Sequence, residues 1–157
     1  MQISYEGKLH FIQRTFAEFY VADYFVKELT KESNISQPIQ DFLLKKIFLE
    51  EEYRVIRAFI DGLLSRFEPS NEAIKQYGNR THDLRKDVLL TLHTAVGEGN
   101  ANIIRFLLDS LEETGHADAG VKLLLAPNFM RHAAWHVAAK NRQIEVFKFR
   151  GSGLKRY

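Results

Sequence analysis

A chain of 157 residues that is 45% hydrophobic and 27% charged, with three prolines and nine glycines, has the make-up of a folded helical protein, not of a disordered or fibrous one. The absence of cysteine excludes a disulfide framework, a thiolate zinc site and a cysteine nucleophile, and makes the cytoplasm the expected compartment. A net charge of +2 is too slight for nucleic-acid binding, which needs basic residues gathered on one face. The amino end lacks the basic and apolar stretches of a signal peptide, and no apolar run approaches the roughly 18 residues of a membrane span.

From Phe11 to Leu29 neither proline nor glycine interrupts the chain, and Ile12, Phe16, Phe19, Ala22 and Val26 recur at helical spacing. Phe11, Phe16, Phe19, Tyr20, Tyr24 and Phe25 spread round more than one face of this helix, so one neighbouring helix cannot cover them all. Part of that aromatic surface is expected to stay exposed and to drive self-association or docking of a partner. Ser36 or Gln37 before Pro38 starts a second helix, continued by Ile39, Phe42, Leu43 and Ile47. Glu50, Glu51 and Glu52 suit the amino terminus of a third, whose stripe is Ile56, Phe59, Ile60, Leu63, Leu64 and Phe67, ending before Pro69. Ser70 caps a short fourth helix through Tyr77, which Gly78 and Asn79 are expected to close.

After Asn79 the segments shorten, and a boundary is placed near residue 80. Leu90 to Val96, Asn102 to Leu111, Val121 to Ala126 and Ala134 to Lys140 all have helical spacing, and strand alternation is missing. The expected fold class is therefore all-α: a helical region over 1–80, then helix-turn-helix repeats over 81–147 and a flexible basic tail over 148–157.

Two of these segments align. Leu92-His93-Thr94-Ala95-Val96-Gly97-Glu98-Gly99-Asn100 matches Trp135-His136-Val137-Ala138-Ala139-Lys140-Asn141-Arg142-Gln143, and each precedes a short apolar helix. This resembles the ankyrin repeat. Ala95, Ala138 and Ala139 let a first helix lie close to its neighbours; Ile104, Leu107, Leu108 and Leu111 give the second an apolar stripe; Gly99 supplies the left-handed helix end. The resemblance implies a structural role for His93 and His136, hydrogen bonding to the connecting backbone. Leu90 and Thr91, and Ala133 and Ala134, replace the family's opening threonine and proline; Val88 and Arg131 replace its turn glycine. His93 and His136 are 43 positions apart against about 33 in the family, which implies an insertion near 112–120.

Phe11 to Ala22 resembles a second family: the helical segment that follows the nucleotide-binding core of NACHT-type signalling ATPases, with Gln13 where histidine is usual. Together the resemblances imply a fragment of a larger NACHT and ankyrin protein, working as a non-catalytic protein-interaction scaffold. The alternative is a regulatory helical piece of an ATP-dependent switch. The partner is expected to be a protein of unknown identity, without nucleic acid, membrane or cofactor. Candidate contact residues are Asn128, Phe129, Met130 and Arg131 at the tip before the second repeat, with Lys140 and Arg142. Phe129 and Met130 either form a contact spot or fold back over the insertion to complete a small core.

Catalytic patterns are weak throughout. His132 and His136 are a four-residue pair across a loop-to-helix junction, the triple-glutamate run suits a helix terminus better than acid-base work, and His82-Asp83 is a common dipeptide. Lys148, Arg150, Lys155 and Arg156 read as a solvated end, with nucleic-acid binding as the rival reading. A phosphate-binding loop needs a G-x-x-x-x-G-K-[ST] run, which is absent. The chain is accordingly expected to neither bind nor hydrolyse ATP; micromolar ATP binding in a calorimeter would refute this.

Overall fold

The computed structural model describes residues 5–81 and 85–113, and among these the chain is all helical, without a strand. Helix α1 spans Tyr5–Thr30, α2 Gln37–Phe42, α3 Arg54–Leu64, α4 Asn71–Thr81, α5 Arg85–Glu98 and α6 Ala101–Glu113. Beyond α2 the coil widens into a π turn, Leu43–Ile47, with the Phe48 N–H reaching back five residues to the Leu43 carbonyl at 2.9 Å. A short 3₁₀ turn, Glu51–Tyr53, leads into α3 and places Glu51 and Glu52 at its amino end.

Pro38 lies in the first turn of α2 and Ser36 is its N-cap, as the sequence predicts. The Ser70 hydroxyl accepts the Ala73 N–H at 3.1 Å and so caps α4. That helix does not close at Gly78 and Asn79 but runs on to Thr81. Two contacts hold the extra turn: Tyr77 is fully buried, and Arg80 pairs with Asp41 of α2. Helix α3 ends at Leu64, so Phe67 falls outside the expected stripe and is exposed. Ile56, Ile60 and Leu64 form its buried edge. Phe25, expected among the surplus aromatics of α1, is buried together with Ala22, Val26 and Leu29.

Packing centres on α6, which touches α3, α4 and α5, while α1 packs against α3. Ile103, Ile104, Phe106, Leu107, Leu108 and Leu111 are all buried, more than one face of a helix can hold, so neighbours are needed on several sides. Ser110, buried among them, donates its hydroxyl to the Phe106 carbonyl at 2.8 Å. The core passes residue 80 without a gap: Tyr77 of α4 and Phe106 of α6 meet edge to face, centroids 5.0 Å apart, and Val88, Leu92 and Val96 of α5 belong to the same cluster.

Among the described residues, one charged side chain lies inside this core. The Arg57 side chain, 1% exposed, donates Nε and Nη2 to the two carboxylate oxygens of Glu98 at 2.8 and 2.5 Å. Its Nη1 donates to the carbonyls of Ile47, at 3.0 Å, and Glu50, at 2.6 Å. A buried charge survives only when paired and hydrogen-bonded, and these four bonds give every guanidinium nitrogen a partner. Glu98→Ala is expected to lower the unfolding free energy by about 3–5 kcal/mol in urea titrations, because it strands the guanidinium. Arg57→Met combined with Glu98→Leu should recover part of that loss; equal stability of Glu98→Ala and wild type would show the pair to be idle.

Candidate functional site

Two surfaces emerge, and α3 positions both. The first is the α5–α6 unit, the part of the chain that aligns with the first ankyrin-like copy. Glu98 ends α5, Gly99 has φ 79°, and α6 begins at Ala101. The Asn100 N–H reaches the Ala95 carbonyl at 2.9 Å and the Gly99 N–H the Val96 carbonyl at 3.3 Å, the two bonds of a Schellman ending. The expected left-handed glycine is therefore present. Ala95 is buried, as are Leu107, Leu108 and Leu111 of α6. His93 is also buried. The expected helix from Leu90 instead starts at Arg85, with Val88 inside it. Thr91 and Thr94 return their hydroxyls to the carbonyls of Asp87 and Leu90, at 2.8 and 2.9 Å, which suits an uninterrupted helix.

Residues Arg57 and Asp61, one turn apart on α3, grip the two sides of this connection. Arg57 holds Glu98 before Gly99. Asp61 accepts the backbone N–H groups of Asn102 and Ile103 on Oδ1, at 2.8 and 2.9 Å, after it. The cation thus stands at the carboxyl end of α5 and the anion at the amino end of α6, the signs that helix dipoles favour. Sequence reading missed both residues. Position 57 nonetheless shares the helical stripe of Ile60 and Leu64, a placement that flags a charge needing buried partners.

The second surface is the outer face of α1. Ile12, Phe16, Tyr20 and Tyr24 recur every fourth residue and are 50%, 59%, 68% and 49% exposed, with Phe19 and Val21 exposed alongside. Phe19 also turns its ring edge-on to Phe59 of α3, centroids 5.5 Å apart, which fixes the ridge against the body of the protein. From Ile12 onward every charged side chain of α1 is in an ion pair: Arg14 with Glu18, Lys27 with Asp23, and Glu28 with Lys31 just past the helix.

Between the end of α3, the start of α4 and α6 lies a cavity of about 220 Å³, floored by Leu64, Pro69, Ile74 and Phe106 and rimmed by Glu68, Asn71, Asn102, Arg105 and Asp109. Its rim carries both signs of charge. Burial pushes the Asp109 carboxyl above its ordinary range against the pull of Arg105. Among the described residues no group of three histidines, aspartates or glutamates is placed to hold a metal ion, and no helix is long and apolar enough to cross a membrane. Asn128, Phe129, Met130, Arg131, Lys140 and Arg142 lie outside the described residues, as do His82, Asp83, His132, His136, the second repeat and the basic tail. Comparison with models of known protein families, with curated proteins and with solved structures finds no match to the chain.

Burial also raises the Asp61 carboxyl, outweighing the Ile103 and Asn102 backbone N–H groups, the Asn102 side chain and Arg105, all of which pull it down. A carboxyl raised by folding contributes stability that is full below its ordinary pKa and is lost as the pH climbs through the raised one. Asp61→Asn keeps an acceptor oxygen for α6 and removes the titration. The stability of wild type relative to Asp61→Asn is therefore expected to fall as the pH rises from below to above the ordinary carboxylate range; a difference that rises with pH there in urea titrations would reverse the assignment.

Proposed function

We propose that the chain works by binding other proteins, as a non-catalytic interaction module in which the α5–α6 unit is a scaffold of ankyrin type. The observation that carries this reading is the ridge of Ile12, Phe16, Tyr20 and Tyr24 on α1. Large aromatic side chains left in water cost stability that burial against a partner returns, at about 25 cal/mol per Å² of apolar area. Contiguous apolar patches of this kind mark interaction sites on folded proteins. The Schellman turn at Gly99 and the buried small residue Ala95 support the ankyrin component, since they suit a tight helix-turn-helix connection. The continuous helix through Val88 departs from that pattern.

A second reading is favoured by one observation. Phe16, Phe19 and Tyr20, which carry the resemblance to the helical region of NACHT-type ATPases, are exposed residues of α1. A helix face that docks against an adjoining nucleotide-binding domain has this form.

Affinity capture from a cell lysate on the immobilised full chain, with mass-spectrometric counting, tests the interaction reading. Proteins retained by wild type should be depleted with Phe16→Ser/Tyr20→Ser or with Phe129→Ser/Met130→Ser, at unchanged melting temperature. The same retained set for wild type and both variants, from a wild-type chain that is itself monomeric in solution, would refute it. A lowered melting temperature for Phe129→Ser/Met130→Ser would place those two residues in a core and leave the α1 face as the contact.

A further inference from the structure

We infer that the occupant of the α1 face is a second copy of this chain, the two α1 helices crossing about a two-fold axis. The inference rests on the interaction reading above and names its partner. Area comes first. At about 200 Å² for a fully exposed large side chain, the exposures of Ile12, Phe16, Phe19, Tyr20, Val21 and Tyr24 amount to roughly 600 Å² per copy. A standard specific interface buries about 800 Å² on each partner. Gln13, Ala17 and Lys27, exposed beside the ridge, lie within reach to supply the remainder.

Shape comes second. A row of side chains at every fourth position is one ridge of a helix, and two such ridges interlock when helices cross at about −50°. That packing needs the same ridge on both partners, which two copies of one chain supply, and it closes on itself as a two-fold pair. The contact of helices crossing so steeply is short. From Ile12 to Tyr24 the ridge runs about 18 Å along the axis, at 1.5 Å per residue, a length such a crossing can use fully. Phe16 of each copy then lies against Tyr20 of the other, nearest the axis.

Charge comes third. With Arg14–Glu18, Lys27–Asp23 and Lys31–Glu28 paired within each copy, the face presents no net charge to repel its duplicate and none to recruit an acidic or basic partner. The contact should accordingly survive salt.

Sedimentation equilibrium of the purified full chain reads the outcome, and the lysate experiment remains independent of it. Wild type is expected to have the mass of a dimer at tens of micromolar, in low and in high salt. Phe16→Ser/Tyr20→Ser should weaken the dimer by a factor on the order of a hundred, with the melting temperature unchanged at concentrations dilute enough for both proteins to be monomeric. Tyr20→Glu, which brings two like charges close to the axis, should dissociate it as well. Because the chain has no cysteine, Ala17→Cys alone directs a short bismaleimide: covalent dimer should form there and not with Lys45→Cys, which is exposed outside α1. A wild-type chain monomeric at several hundred micromolar, a dimer that both variants leave intact, or equal cross-linking at the two cysteines would overturn the inference. If capture from lysate nonetheless succeeds with a monomeric chain, the interaction reading stands and the face belongs to a different protein.

Discussion

The guanidinium of Arg57 is the fixed point about which the rest is arranged. Four hydrogen bonds from one side chain join the end of the π turn, the residue that precedes the 3₁₀ turn and the last residue of α5. Residues 47, 50, 57 and 98 are thereby held within one bond of a single planar group. Arginine suits the task because its fork of donors is rigid, stays charged when buried, and matches a carboxylate on one side while leaving donors for carbonyls on the other. One turn further along α3, Asp61 repeats the device with opposite sign on α6. The 41 residues that separate 57 from 98 also separate 61 from 102. Helix α3 therefore sets the spacing of the α5–α6 connection as well as its position.

The apolar side chains divide unequally around that frame. Helix α6 buries almost every apolar side chain it has and draws α3, α4 and α5 together, whereas α1 buries one edge, Phe25 included, and leaves Phe16, Phe19, Tyr20 and Tyr24 outside. A chain of this size has apolar residues to spare, since most folded surfaces still contain much apolar area. The unusual feature is their concentration on three turns of one helix. Sequence distance adds to the asymmetry. Ser70 donates its N–H to the Leu29 carbonyl at 2.9 Å and its hydroxyl to the Lys31 carbonyl at 2.8 Å, so the carboxyl end of α1 is tied to the loop before α4. The ridge projects from the portion of α1 that precedes this tie.

Helical period alone makes much of this legible. Pro38, the glutamates before α3, Ser70 and Gly99 are local signals, each resting on backbone chemistry within a few residues, and each is realised as read. The surplus aromatics of α1 were legible as a count, but not which of them would be spared: Phe25 is covered by a stacked ring from Phe42, far along the chain. Helix ends were lost where tertiary contacts outweighed local preference. Gly78 and Asn79 stay helical because Arg80 has Asp41 to reach, and Leu90 is no helix start because Val88, buried in the core, already lies inside α5. Arg57 and Asp61 were overlooked because charges in a helical stretch ordinarily face water, and their partners lie 41 positions away.

The π turn at Leu43–Ile47 has a bearing on the tolerance of this chain to insertion and deletion. A π turn is an α-helix with one residue too many, and each residue rotates the downstream chain by about 100°. Loss of any one position between Leu43 and Ile47 would restore ordinary helical winding at no local cost. It would also swing Ile47 and Phe48 out of the core and carry the Ile47 and Glu50 carbonyls away from Arg57. Leu43, Leu44 and Ile47 are apolar residues that substitution could replace in kind; the length of the segment has no such substitute, and changing it uncouples α2 from α3 and α5 together.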